Sequence, residues 1–225
     1  MDLRLDERVI LVVGGAGYIG SAIAAALAAE GATVVGASRH GGDLTMDARD
    51  ATSVAAAVEK VLAEHGRLDG VVVTAAPSAR TLDPALSTDP DDVLDAIDGK
   101  AMSFLRVARA ALGPMREAGY GRIVGISGQN AFLTGDLRGS VRNAALILAA
   151  KNLADAAAGS GVTVNVVNPG TVVDEPSTTV SVGKSGESAP TDIAALVAFL
   201  VSPLAGAISG ESIAVGHRVR GASGL

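Results

Sequence analysis

The regular patterning begins with five consecutive apolar residues, Val9-Ile10-Leu11-Val12-Val13, that run straight into Gly14. An unbroken run of this kind reads as a strand covered on both faces, whereas a half-exposed strand would alternate. Residues 19–29 then become Ala-rich and stop at Gly31, the pattern of a helix with glycine just past its end. The alternation repeats. Strand-like stretches occur at 33–37, 70–75, 121–127, 161–168 and 212–215, with helical patterns at 54–64, 91–118, 143–158 and 192–201. Strands alternating with helices predict an α/β fold: a single Rossmann-type, doubly wound parallel sheet with helices on both faces. Asp91, Asp92 and Asp95 open the long helix, where carboxylates suit the helix dipole without any metal. Residues 174–190, rich in Ser, Thr, Gly and Glu without periodicity, predict a short flexible loop on the substrate side. Neither an internal repeat nor a linker divides the chain, so residues 1–225 read as one domain.

Composition narrows the picture. With 225 residues and 48% hydrophobic content there is ample material for one core. A net charge of -6 and 2% aromatics weigh against a nucleic-acid partner, which needs clustered cations and stacking rings. The absence of cysteine removes disulfides and thiolate chemistry. His40, His65 and His217 share no short ligand spacing, so no metal site is expected. The mixed charges before Val9, the short apolar run after them, and the interruption of the Ala-rich stretches by Lys151 and Asp155 predict a cytoplasmic protein without a membrane segment.

The strongest local signal is Gly14-Gly15-Ala16-Gly17-Tyr18-Ile19-Gly20, placed between the first strand and the first helix. Glycines there allow a tight turn and close approach of the backbone to a pyrophosphate, and the helix N-terminus offers free N–H groups. Gly14, Gly17, Tyr18, Ile19 and Gly20 are therefore candidate cofactor contacts. The second predicted strand ends in Ala37-Ser38-Arg39-His40, with no acid to hold a ribose diol. A hydroxyl followed by a guanidinium suits the extra phosphate of NADP(H), which favours NADP(H) over NAD(H) and makes Ser38 and Arg39 candidates. Arg39 as a solvated loop residue is the other reading. Asp47 is a candidate contact to the adenine amino group.

Several longer segments carry a family resemblance: Leu68-Asp69-Gly70-Val71-Val72-Val73-Thr74-Ala75-Ala76, Gly121-Arg122-Ile123-Val124-Gly125-Ile126-Ser127, Val164-Asn165-Val166-Val167-Asn168-Pro169-Gly170-Thr171-Val172 and Ile208-Ser209-Gly210-Glu211-Ser212-Ile213-Ala214-Val215. With the glycine turn, they resemble the short-chain dehydrogenase/reductase family over nearly the whole chain. The glycine spacing is closer to the family's extended branch, and Val13 stands where the short branch has Thr. The resemblance implies a nicotinamide cofactor lined by Ala75, Ala76, Pro169, Gly170 and Val172. It also implies a homodimer or homotetramer built on the two long helices, and a small-molecule substrate.

Family chemistry rests on a Tyr and a Lys four residues apart on one helix face, so that the ammonium lowers the pKa of the phenol that moves the proton. Aligning residues 144–154 with that helix puts Asn143 at the Lys position and Gly139 at the Tyr position. Whatever the register, residues 121–150 contain neither Tyr nor Lys. Asp98 takes the position of the family's helix Asn, and the Ser position is either Ser127 or Gly128. Ser127, Asp98, Asn143 and Asp136 are the catalytic candidates. Asn143 can still hold ribose hydroxyls, and Asp136 precedes it at a spacing some enoyl reductases of the family use. Asp136 as a solvated loop carboxylate is the alternative. Arg138 and Arg142 are candidates for an anionic group or are solvated helix-start residues. Lys100, two residues from Asp98, reads as surface, Tyr18 as a cover for the pyrophosphate, and Tyr120 as lying at the wrong sheet edge. Three functions stay open: an atypical NADP(H)-dependent oxidoreductase on a small carbonyl or alcohol, a non-redox enzyme on the same fold, or a nucleotide-binding scaffold.

Overall fold

In the computed structural model, residues 2–76 and 87–222 are described. Seven parallel strands form one sheet in the order β3-β2-β1-β4-β5-β6-β9. Its central members are β1 (Val9–Val13), β4 (Gly70–Val73), β5 (Gly121–Ile126) and β6 (Val162–Pro169). All four are buried along their whole length; β1 and β4 accordingly run without a polar side chain, while β5 and β6 also bury Arg122, Thr163, Asn165 and Asn168. Flanking them are β2 (Thr33–Ser38), the two-residue β3 (Leu44–Thr45) and β9 (Ser212–Val215). The predicted α/β doubly wound architecture is observed.

Among the described residues, six α-helices cover the sheet: α1 (Tyr18–Ala29), α2 (Ala51–His65), α3 (Pro90–Ile97), α4 (Ser103–Glu117), α5 (Leu137–Ala157) and α6 (Pro190–Val201). The sheet separates two cores. Leu11, Val13, Val71 and Ile123 face α2, α4 and α5, while Ile10, Val12, Val72 and Val124 face α1 and α6. The crossover from β1 to β2 and that from β6 to β9 therefore lie on the same face, yet they step across the sheet in opposite directions. Two such connections have opposite hands, so with β1-α1-β2 right-handed, β6-α6-β9 is a left-handed exception to the usual rule. Another departure is the link from β2 to β3, which residues 39–43 make without a helix. Parallel neighbours normally need a longer crossover. Here Gly41 and Gly42, both at positive φ, turn the chain back at once, and Asp43 accepts a 2.8 Å hydrogen bond from Gly36 N–H.

Helix boundaries differ from the sequence reading where polar caps intervene. Asp50 accepts from Thr52 N–H and starts α2 at Ala51, and Asp136 accepts from Gly139 N–H and starts α5 at Leu137, six residues before Asn143. The long helix predicted over 91–118 is interrupted by a π-helical turn, Asp98–Met102, between α3 and α4. The segment 174–190 is partly ordered by strand pairing: β7 (Thr171–Val172) pairs in parallel with β8 (Glu187–Ser188).

At the N-terminal edge of the sheet, the buried Asp69 binds Arg8, Arg67 and the N–H of Val9. Burial pushes its carboxyl up, but those hydrogen bonds outweigh it and hold the group below the ordinary carboxylate range. Tyr120 sits at the same edge, its ring 4.3 Å from both the Arg8 and Arg122 guanidinium carbons.

Candidate active site

Because the strands are parallel, the residues that follow them gather along one edge. Chain order reverses between β1 and β4, and open α/β sheets bind ligands at such a switch point. Gly14 leaves β1 with φ +85°, and a Cβ there would sit 2.5 Å from Thr74 Oγ1 and 2.9 Å from Ala75 N. A Cβ on Gly20 would overlap the Gly14 carbonyl oxygen, so α1 lies directly on the turn. Gly17 begins α1 with no side-chain cap and no acid in the first turn, leaving the positive helix end to an anionic ligand. Ile19 packs against the α1-side core, which aims that end. The donor set and the close backbone approach fit a dinucleotide pyrophosphate. Tyr18, 51% exposed, donates a 2.5 Å hydrogen bond to Asp174 and so bridges the turn to the chain beyond β7.

The adenosine-side candidates divide. Arg39 is exposed at the end of β2, with no hydrogen bond or ion pair among the described residues. The Ser38 hydroxyl is instead turned into its own loop, donating to the carbonyls of His40 and Gly41. Asp47 accepts from the N–H of Arg49 and is half-buried just beyond β3. On the nicotinamide side, Ala75 and Ala76 follow β4, and Pro169 closes β6. Gly170 is pressed against Ser185 and Gly186, where a Cβ would overlap the Gly186 carbonyl, and Val172 is fixed by β7–β8 pairing.

The catalytic candidates divide as well. Ser127 follows β5, donates from its N–H to Val167 O at 2.9 Å, and donates from Oγ to Asn143 O at 3.0 Å. Asn143, 4% exposed, has its amide beside Gly128 and the Ser127 hydroxyl. Ser127 and Asn143 therefore come together as the sequence suggests. Asp98 does not join them: one carboxylate oxygen accepts from Arg106 and the other from Arg49. The Arg106 hydrogen bond, with Arg49 behind it, holds that carboxyl below the ordinary range despite partial burial. Asp136 is likewise committed to the N-terminus of α5. Neither solvated-arginine reading holds. Arg138 is buried and ion-paired with Asp92, and Arg142 is 6% exposed, with burial pulling its pKa below the ordinary value.

Lys100 corrects the sequence reading. It is 7% exposed, and Nζ donates a 3.1 Å hydrogen bond to the carbonyl of Ser127. Two helical residues span about 200°, so the assumption that Asp98 faces inward turns Lys100 outward. The structure has the opposite arrangement, with Asp98 drawn out by its two arginines. Burial, and secondarily Arg142, lowers the Lys100 pKa from 10.5 to about 7. Gln129 was also missed: it is 1% exposed and ties the site to the chain after β9 through Val215 O and His217 O.

A family model described as enoyl-(acyl carrier protein) reductase matches residues 14–217, from the glycine turn to the strand that closes the sheet. The chain belongs to the short-chain dehydrogenase/reductase family. It is 32% identical to D-threitol dehydrogenase of Mycolicibacterium smegmatis, covering 95% of this chain and 93% of that protein. It is 29% identical to the 3-oxoacyl-[acyl-carrier-protein] reductase FabG of Escherichia coli, covering 95% and 97%. A short-chain type dehydrogenase/reductase from Mycobacterium ulcerans superposes with a TM-score of 0.81 at 28% identity, over 94% of this chain and 89% of that one. Within this short-chain dehydrogenase/reductase, α5 carries Gly139 and Asn143 one helical turn apart and contains no tyrosine. Its one lysine, Lys151, donates to Gly210 O. No helix among the described residues is long and apolar enough to cross a membrane, and no cluster of His, Cys, Asp or Glu among them suits a metal.

Proposed function

We propose that this protein is an NADP(H)-dependent oxidoreductase that interconverts a small carbonyl compound and its alcohol without the Tyr/Lys relay. The observation that carries the reading is the shared edge: the glycine turn before α1, the exposed Arg39 and the Ser127–Asn143 pair all lie at the C-terminal ends of one parallel sheet. The two curated relatives support it by their names, one a polyol dehydrogenase and one a 3-oxoacyl reductase, both of which denote carbinol–carbonyl interconversion.

Bound reduced nicotinamide supplies a hydride. The protein does the rest. The glycine turn and the α1 N-terminus hold the pyrophosphate, and Arg39 receives the extra phosphate as a charge-assisted partner. Asn143 offers amide hydrogen bonds to the ribose, and Ser127 fixes the floor at the end of β5. Holding donor and acceptor in register lowers the barrier even without an acid–base pair, which typically adds about 10²–10⁴-fold. Exposed Leu94, Met102, Leu137 and Leu148 on α3, the π turn and α5 support a homodimer or homotetramer.

Fluorescence titration tests the cofactor assignment. NADPH should bind more tightly than NADH, and Arg39→Ala should weaken NADPH about 10–100-fold, the loss of one charge-assisted contact, while leaving NADH unchanged. Equal weakening of both cofactors would remove Arg39 from the phosphate site, and no binding of either would end the oxidoreductase reading.

A further inference from the structure

Lys100 has no part in the mechanism above, yet it is a buried cation whose hydrogen bond reaches Ser127, the residue that follows β5. We propose that Lys100 is the acid–base group of this active site, giving a proton to the substrate oxygen in reduction and taking it back in oxidation. The inference rests on the oxidoreductase reading.

Position comes first. Lys100 stands in the π turn Asp98–Met102, and such widened turns occur disproportionately at functional sites. From there its side chain crosses to Ser127, whose hydroxyl is bonded to Asn143, so the ammonium meets the same corner that the aligned Tyr and Lys positions border. Its partners come second. A buried structural lysine is normally paired with a carboxylate, but Lys100 has no ion pair among the described residues. On α5 the charge acting on it is Arg142, with Arg138 and Asp136 beyond. On α3, Asp92 is taken by Arg138. On its own turn Asp98 is taken by Arg49 and by Arg106 of α4. The residue it touches after β5, Ser127, offers only a neutral carbonyl. Burial and the like charge of Arg142 place the group where it titrates near neutrality, as an acid–base catalyst requires.

The step balances. The carbonyl carbon accepts hydride from reduced nicotinamide, the C=O π bond breaks, and the oxygen takes a proton from Lys100 Nζ to give the alcohol. The neutral amine left behind regains its proton from water, so each turnover consumes one NADPH and one proton.

Two measurements on the full chain test this. Pyridoxal, trapped by borohydride at pH values from about 6 to about 9, forms an imine only with a neutral, reachable amine. Lys100 should be labelled with a midpoint near pH 7, and bound NADPH should suppress the labelling. With ethyl acetoacetate as the carbonyl probe, reduction should slow above about pH 7 as the ammonium disappears. Lys100→Arg keeps the charge but cannot release its proton. It should cut the rate about 100-fold, abolish that pH break and leave NADPH affinity intact. A folded protein with Lys100 unlabelled, or labelled equally with and without NADPH, overturns the proposal. So does a Lys100→Arg enzyme that keeps its rate and its break, and in that case the oxidoreductase reading survives. Bound NADPH without any hydride transfer overturns that reading and the role of Lys100 together.

Discussion

Replacing Lys100 by methionine should stabilise the fold at neutral and lower pH, and the gain should fade as pH rises. The pKa of the ammonium is 10.5 in an unfolded chain and about 7 when buried against Arg142. That difference corresponds to about 5 kcal/mol at ~1.4 kcal/mol per pKa unit. The sign follows from proton counts. Below pH 7 both states hold the proton, and the fold carries the full cost of burying a charge. Between pH 7 and 10.5 the unfolded chain binds a proton that the folded one does not, so wild-type stability climbs with pH. Above that window the cost is gone. Methionine fills a similar stem volume without charge but leaves the Ser127 carbonyl without its donor, a loss of about 1–2 kcal/mol. The variant should therefore be more stable by about 3 kcal/mol near pH 6 and slightly less stable near pH 10. Urea unfolding of both proteins at the two pH values measures this. A gap of the same size at both, or a destabilised variant near pH 6, would show that Lys100 is not held as an unpaired buried ammonium.

Two further substitutions probe the site's backbone. Gly14→Ala forces an L-residue into φ +85° with its Cβ 2.5 Å from Thr74 Oγ1, so it should lower stability by about 2 kcal/mol and abolish NADPH binding. Wild-type NADPH affinity in this variant would disprove the placement of the pyrophosphate. Gly139→Tyr, the simplest attempt to restore the family's phenol, places a Cβ on the Asp136 carboxylate that caps α5. It should cost about 1 kcal/mol, the worth of a helix N-cap, and restore no activity; an unchanged thermal midpoint would contradict the capping role.

Much of the fold was legible because its signals are local. Apolar runs such as Val9–Val13 and Gly70–Val73 mark doubly covered strands wherever they occur, and the glycine turn between β1 and α1 is a feature of adjacent residues. The Ser127–Asn143 contact joins two candidates that were legible because each adjoins a recognisable segment. Asp98, Asp136 and Lys100 were misjudged because their roles depend on what meets them. Asp98 faces outward because Arg49, from the turn before α2, and Arg106 of α4 pull it there, and a π turn between α3 and α4 resets which face Lys100 occupies. Periodicity counted at 3.6 residues per turn has no means of registering either effect.

The sequence by itself determined a parallel α/β sheet, a pyrophosphate turn and the absence of Tyr and Lys from residues 121–150, because each is written in contiguous residues. Only the tertiary structure decided which charged groups enter the site. A carboxylate or ammonium settles where partners and burial minimise its free energy, and those partners come from segments far apart in the chain. That is how Asp98 became a half-buried ion-pair residue and Lys100 a buried cation bonded to Ser127.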